Sequence, residues 1–159
     1  MKLKETVQAW LNGSLADPVV HLLAENSALT KIQLETFLID VLAENLSGKQ
    51  LKYDDKAKLR LTKAQISRGA FNRTLKQAKD NVVKSIYTIL LLGYLGVFED
   101  TKLTPYLEIA NKLHDYVDAC KTVLNSTDEL SNHLKVMEII REELQTSLEK
   151  LSSPSREQL

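Results

Sequence analysis

Side chains that can bind a polyanion are concentrated between Lys63 and Lys84. Residues 56–84 contain nine Lys or Arg residues and one acidic residue, a local charge of +8 in a chain whose formal net charge is zero. Lys and Arg form ion pairs with phosphate groups, and the donors and acceptors of Asn, Gln and Arg match base edges in the major groove of DNA. The pattern predicts DNA contacts from Lys63, Arg68, Asn72, Arg73, Lys76, Gln77, Lys79 and Lys84.

The segments on either side of this basic run are acidic. Residues 1–55 have a net charge of −3 and residues 85–159 have a net charge of −5. The basic face can therefore meet an acidic protein, or the acidic C-terminal helices of a second copy, instead of DNA. An ordinary solvated helix face is a further alternative. RNA binding is disfavoured, because the only aromatic residue of the basic run, Phe71, falls on its apolar face.

A single helix is expected to position the basic side chains. Apolar residues recur at steps of four and three, which predicts one buried face and leaves the basic residues on the other. The start of this helix is open between two possible N-caps, Thr62 and Ser67. Only a start after Ser67 leaves a turn between this helix and the preceding one. The predicted apolar face consists of Phe71, Leu75, Ala78, Val82, Ile86 and Ile89.

The composition of the whole chain favours helix. Apolar residues make up 43% of it, with only five Gly and three Pro, so we expect an all-α protein. Asp17 and Thr30 are predicted N-caps, and the helix that follows Thr30 is expected to end near Gly48. Asp54 or Asp55 can cap a short helix through Lys58 and Leu59. The apolar residues assigned to the helix after Thr30 are Ile32, Leu34, Phe37, Leu38, Val41, Leu42 and Leu46.

The basic helix also carries a family resemblance. Its pattern is Ile66-Ser67-x-Gly69-x-Phe71-x-Arg73-x-Leu75-x-x-Ala78-Lys79-x-x-Val82. This pattern resembles the recognition helix of helix-turn-helix proteins similar to the promoter-reading fourth region of bacterial sigma factors, and the resemblance extends over about residues 29–84. It implies duplex DNA binding and transcriptional control by the helix from about Ser67 to Lys84. The contacts that it implies are Ser67, Arg68, Asn72, Arg73, Lys76 and Gln77.

An apolar run follows the basic residues. Residues 85–98 are apolar almost all round, which predicts a long buried helix. The run falls short of the roughly 20 residues needed to span a bilayer, so we expect no membrane insertion. It has more apolar surface than a small helical core can cover, and we therefore expect a homodimer.

The last third of the chain predicts two further helices. Their narrow apolar seams can pair as an antiparallel hairpin within the chain or as a coiled coil between chains. The expected organisation is a helical domain over residues 1–100 that contains the helix-turn-helix, a C-terminal hairpin or dimerisation region over 101–151, and a disordered tail over 152–159.

No pattern for catalysis or metal binding accompanies the basic helix. His21, His114 and His133 have no second ligand at helical spacing, and the chain has no Gly-rich phosphate loop or nucleophile elbow. We therefore expect a protein that is not an enzyme and has no cofactor or metal. The lone Cys120 and the absence of a secretory signal favour a reducing cytoplasm. The sequence predicts a dimeric DNA-binding regulator, with a helical module that binds an acidic protein as the alternative.

Overall fold

Helices account for the regular structure of the described residues. The computed structural model describes residues 3–62, 64–97, 104–123 and 129–152, which contain seven α-helices and no strand. The prediction of an all-α protein is confirmed. The helices are α1 (Leu3–Ala16), α2 (Pro18–Glu25), α3 (Lys31–Ser47), α4 (Tyr53–Ala57), α5 (Arg68–Tyr94), α6 (Thr104–Val123) and α7 (Glu129–Ser152).

Local capping signals start α2 and α3. The Asp17 carboxylate accepts hydrogen bonds from the backbone N–H groups of Val19 at 2.8 Å and Val20 at 3.2 Å. Thr30 and Gln33 form a reciprocal capping box, in which each side chain accepts the backbone N–H of the other. These bonds satisfy donors that have no partner within the helix. Both predicted N-caps are confirmed.

The long helix α5 starts after Ser67. The Ser67 hydroxyl accepts the backbone N–H of Ala70 at 3.2 Å, and its carbonyl accepts the N–H of Phe71 at 3.0 Å. Of the two starts that the sequence allows, this is the later one. Helix α4 has Lys52 at its N-cap position, before the predicted caps Asp54 and Asp55, and it ends at Ala57, before the predicted end at Leu59. The ten residues 58–67 separate it from α5.

The chain forms two units by its internal contacts, Met1–Ile86 and Tyr87–Leu159. In the first unit the apolar core lies where α1, α3 and the first turns of α5 meet. The rings of Tyr53 and Phe71 pack at a centroid distance of 6.5 Å within this region. The core comprises Val7, Leu11, Ile39, Ala43, Ala57, Leu59, Phe71 and Leu75. The predicted burial of α5 at Phe71, Leu75 and Ala78 is confirmed.

The buried face of α3 differs from the prediction. Ile32, Val41 and Leu46 belong to the predicted stripe and are exposed. Apolar residues lie on nearly every side of this helix, so their spacing does not define one inward face. Polar side chains occupy part of that face because the Arg60 guanidinium, from the segment after α4, donates to both Glu35 and Thr36. The buried residues of α3 are Glu35, Thr36, Ile39 and Ala43.

Two glycines near the end of α5 take part in stopping it. Gly96 has a left-handed φ of 71°, a backbone conformation that a residue with a side chain rarely adopts. The N–H of Val97 donates to the carbonyl of Leu92 at 3.0 Å, and the N–H of Gly96 donates to the carbonyl of Gly93 at 3.1 Å. This pair of bonds is a Schellman motif, which satisfies carbonyls that the helix leaves open.

The prediction that the apolar run is a buried helix is wrong. The run is helical, but on its outer side Ile86 is 49% exposed and Tyr94 is 88% exposed. Within the described residues, neighbouring segments cover only the side of Ile89, Leu92 and Gly93. In the second unit α6 and α7 contact each other. The predicted tail lies outside the described residues except for Ser152, the last residue of α7.

Candidate nucleic-acid interface

Two acidic residues of α3 bind the first cation of the basic run. Lys56, in the last turn of α4, is only 5% exposed. Its Nζ lies 2.8 Å from Oδ1 of Asp40 and 2.8 Å from Oε1 of Glu44. The same ammonium group is 5.4 Å from the centre of the Tyr53 ring. Lys56 is therefore held inside the first unit and is not available to a ligand.

The pKa values of this cluster are shifted towards the charged forms. Burial alone would raise the pKa of Asp40, but hydrogen bonds and charges from Lys56 and Lys79 lower it below the ordinary value of 3.8. The hydrogen bond from Lys56 likewise lowers the pKa of Glu44 below 4.5. Burial alone would lower the pKa of Lys56, but Asp40 and Glu44 raise it above 10.5. All three groups are charged at neutral pH.

Arg60 is a second buried cation of the same run. Its Nε donates to Oε1 of Glu35 at 2.8 Å, and its Nη1 donates to Oγ1 of Thr36 at 3.0 Å. The same Glu35 oxygen accepts the backbone N–H of Leu61 at 2.7 Å. The Gln8 side chain of α1 donates to the carbonyl of Arg60 at 2.7 Å. These bonds fix the segment before α5 to both α1 and α3.

Polar contacts also attach α5 to the rest of the first unit. Lys79 Nζ lies 2.8 Å from Oδ2 of Asp40, in an ion pair whose lysine side chain is 48% exposed. About three turns after Phe71 along α5, the side-chain amide of Asn81 donates to the carbonyl of Ala28 at 3.0 Å. The buried apolar side and these contacts set the rotation of α5, so its opposite side is turned outward.

The outward side of the first half of α5 is basic. Arg73 and Lys76 are exposed there and form no ion pair with a described residue. Arg68 is exposed in the first turn of α5, about 140° around the helix from Arg73 and beside the cleft, and it also has no ion-pair partner in the described structure. Gln77 is exposed next to Arg73 and Lys76. Asp80, the one acidic residue of the basic run, lies on the same side and is also exposed. We call Arg68, Arg73, Lys76 and Gln77 the basic face.

An open cleft of about 650 Å³ adjoins the start of α5. Ser67 and Arg68 line it, so the first backbone N–H groups of the helix lie at its edge. Asp54 is the acidic side chain of the lining, and Lys58 is paired with Asp55 at 3.0 Å. The balance of charge suits an anionic group. The basic side chains of the lining are Lys4, Lys58, Arg60 and Arg68.

The other predicted contact residues have different environments. Asn72 is half-buried, and its Oδ1 is fully buried without a hydrogen-bond partner in the described structure. Ser67 is exposed, and its hydroxyl is used as the cap of α5. Lys84 is exposed on the same helix. Lys63 lies outside the described residues. The basic face thus brings together four of the predicted residues, with Lys79 at its edge.

The ion pairs on α3 were not predicted from the sequence. Asp40 and Glu44 are four residues apart, which places them on one side of α3, whereas Glu35 lies about 140° around the helix from Asp40. Nothing local relates them to Lys56 or Arg60, which are 16 and 25 residues beyond Asp40 and Glu35. A buried carboxylate needs a partner, and folding supplies that partner from a distant segment.

Comparisons of this chain with family models, curated proteins and solved structures found no match. In the part of the chain that the structure describes, no three His, Cys, Asp or Glu side chains are placed to hold a metal ion. No helix in the described ranges has the length and hydropathy to cross a membrane. The basic face and the adjoining cleft are therefore the basis for a function.

Proposed function

We propose that this chain binds duplex DNA through the basic face of α5. The observation that carries the proposal is the exposure of Arg68, Arg73 and Lys76 without an acidic partner in the described structure. By contrast, Lys56 and Arg60 are buried against carboxylates of α3. Exposed cations can bind phosphates and release the counterions that surround DNA, which is a major source of affinity.

The rotation of α5 suits insertion of a helix into a groove. Phe71 and Leu75 are buried on one side of the helix, while Arg73 and Gln77, four residues apart, are exposed on the other. A major groove about 12 Å wide admits an α-helix. In that position Arg73 and Gln77 present donors and acceptors to base edges, and Lys76 binds a phosphate.

The cleft beside the start of α5 provides a site for the DNA backbone. Its lining combines the N-terminal end of the helix with Lys4 and Arg68, which are both exposed. Backbone N–H groups at a helix start bind phosphate oxygens, and nearby cations strengthen the bond. One phosphate bound here would fix the position of α5 along the groove.

More specifically, the chain acts as a helix-turn-helix regulator of transcription in the cytoplasm. The sequence pattern from Ile66 to Val82 supports this role through its resemblance to the promoter-reading region of sigma factors. The ten residues between α4 and α5 are more than the three or four of a usual helix-turn-helix, so the turn is an extended variant. Dimerisation through the apolar part of α5, and pairing of α6 and α7 as a hairpin, complete the proposed organisation.

Fluorescence anisotropy with a labelled random duplex tests the proposal. The double variant Arg73→Ala/Lys76→Ala should bind at least about tenfold more weakly at low salt, because two phosphate or base contacts are lost. The control is Lys49→Ala/Lys52→Ala, which removes two exposed lysines of the first unit that do not belong to α5. Its affinity should remain within about twofold of the wild type. Equal losses in the two double variants would contradict the assignment of the basic face.

The same experiment decides between DNA and an acidic protein partner. If the wild-type protein does not bind duplex DNA even at low salt, the DNA proposal fails. An acidic protein surface would then be the partner to test, since exposed cations on one helix can be complementary to its carboxylates. Pull-down with an immobilised acidic polypeptide, compared between the wild type and the Arg73→Ala/Lys76→Ala variant, would test that assignment.

A further inference from the structure

The outer side of the last turns of α5 is a continuous apolar surface. Five of its side chains are between 54% and 88% exposed, and no charged residue lies between positions 85 and 97. The helices α6 and α7 of the same unit leave this surface uncovered. We call it the apolar stripe. Its residues are Tyr87, Leu90, Leu91, Tyr94 and Leu95.

The size of the apolar stripe is that of an interface. Tyrosine and leucine side chains at these exposures present roughly 600 Å² in total, at the upper end of the 300–600 Å² that the largest apolar patch of a monomer usually covers. A stable protein interface buries about 800 Å² on each partner. The apolar stripe therefore supplies about three quarters of the area that one partner buries in such an interface.

The spacing of the apolar stripe suits a second helix of the same kind. Tyr87, Leu90 and Tyr94 follow one another at steps of three and four, the repeat of a seam between two helices. The absence of charge gives an acidic or basic protein no complementary group to bind. Two copies related by a two-fold axis, in contrast, present the same leucines and tyrosines to each other, so the surface is complementary to itself.

We propose that a second copy of this chain covers the apolar stripe, with Leu90, Leu91 and Tyr94 at the centre of a two-fold interface. Burial of leucine and tyrosine side chains on both copies drives the association, and the interface excludes water from the stripe. The inference does not rest on DNA binding, because none of the stripe residues belongs to the basic face.

Sedimentation equilibrium of the full chain over a concentration series tests the dimer. The wild type should approach twice the chain mass of 18.0 kDa as concentration rises, and it should do so at low and high salt alike. Leu91→Glu should weaken dimerisation by at least about a hundredfold, because two carboxylates would be buried without partners. Tyr94→Lys, at the most exposed position of the stripe, should have the same effect without disturbing the fold.

The matched control is Ile32→Glu. Ile32 is 56% exposed, nearly the same as Leu91 at 57%, but it lies on α3 in the first unit. This variant should dimerise as the wild type does, and circular dichroism should show the same helical content in all four proteins. A wild-type monomer at every concentration would overturn the proposal, as would an oligomer that dissociates in high salt or a monomer that binds neutral lipid vesicles through the stripe. Leu91→Glu retains the basic face, so its DNA affinity shows separately whether the proposed function stands.

Discussion

Lys56 and Arg60 come from the same basic run as Arg73 and Lys76, but the two pairs have opposite environments. The first pair is at least 93% buried and bound to carboxylates of α3, whereas the second pair is exposed and unpaired in the described structure. A count of charges along the sequence gives all four the same weight. The difference shows that only part of a basic run is available to a polyanion, and that the acidic residues deciding this are distant in sequence.

The positive charge available at the surface is smaller than the count of charges along the sequence indicates. The local charge of +8 over residues 56–84 includes two cations that α3 neutralises and a third, Lys79, that shares Asp40 with Lys56. Lys58 has its own partner in Asp55. The outward field therefore comes from fewer cations, among them Arg73 and Lys76 on the outward side of α5 and Arg68 in its first turn. A compact group of charges attracts a ligand to a defined place, which a dispersed charge does not.

The largest expected effect comes from removing a cation of the buried pair, Lys56. Lys56→Met should lower the free energy of unfolding by about 1–3 kcal/mol, because Asp40 loses the buried Lys56 ammonium and keeps only the half-exposed Lys79 as its cation partner. Urea denaturation followed by circular dichroism measures the change. Lys58→Met is the control: its ion pair is exposed, so the loss should be below about 1 kcal/mol. Similar losses in both variants would show that burial does not distinguish these lysines.

A smaller effect should appear in the pH dependence of stability. The pKa values of Asp40 and Glu44 are lowered by folding, so their contribution is present above the ordinary values of 3.8 and 4.5 and is lost as pH falls through the lower folded values. The pKa of Lys56 is raised, so its contribution is present below 10.5 and is lost as pH rises through the higher folded value. The stability difference between the wild type and Lys56→Met should therefore shrink below about pH 4. A difference that stays constant into acid would exclude this ion pair as its source.

The parts of the fold that follow from local sequence could be predicted. Asp17 and Thr30 cap their helices by bonds within three residues, and the spacing of Phe71 and Leu75 identifies the inner side of α5. The sequence allows two starts for α5, because Thr62 and Ser67 both have a side chain that can cap a helix. Only the bonds that Ser67 makes in the folded chain decide between them.

The remaining features depend on contacts between distant segments. The burial of Glu35 follows from the approach of Arg60, and the burial of Lys56 follows from Asp40 and Glu44. Apolar residues almost all round a helix indicate how much surface needs cover but do not identify what covers it. For this reason the run after Lys84 was expected to be buried, whereas its outer side is exposed. The four residues of the basic face could be listed in advance, but their lack of partners could not.

The most direct test of the account is the salt dependence of DNA binding by two charge-matched triple variants. One is Arg68→Ala/Arg73→Ala/Lys76→Ala, and the other replaces three exposed lysines of the first unit that have no ion-pair partner in the described structure: Lys31→Ala/Lys49→Ala/Lys52→Ala. Both lose three positive charges. The account predicts that the slope of log affinity against log salt becomes shallower by about two to three for the first variant and stays unchanged for the second. Equal changes in the two slopes would mean that net charge, and not the unpaired cations of α5, determines binding.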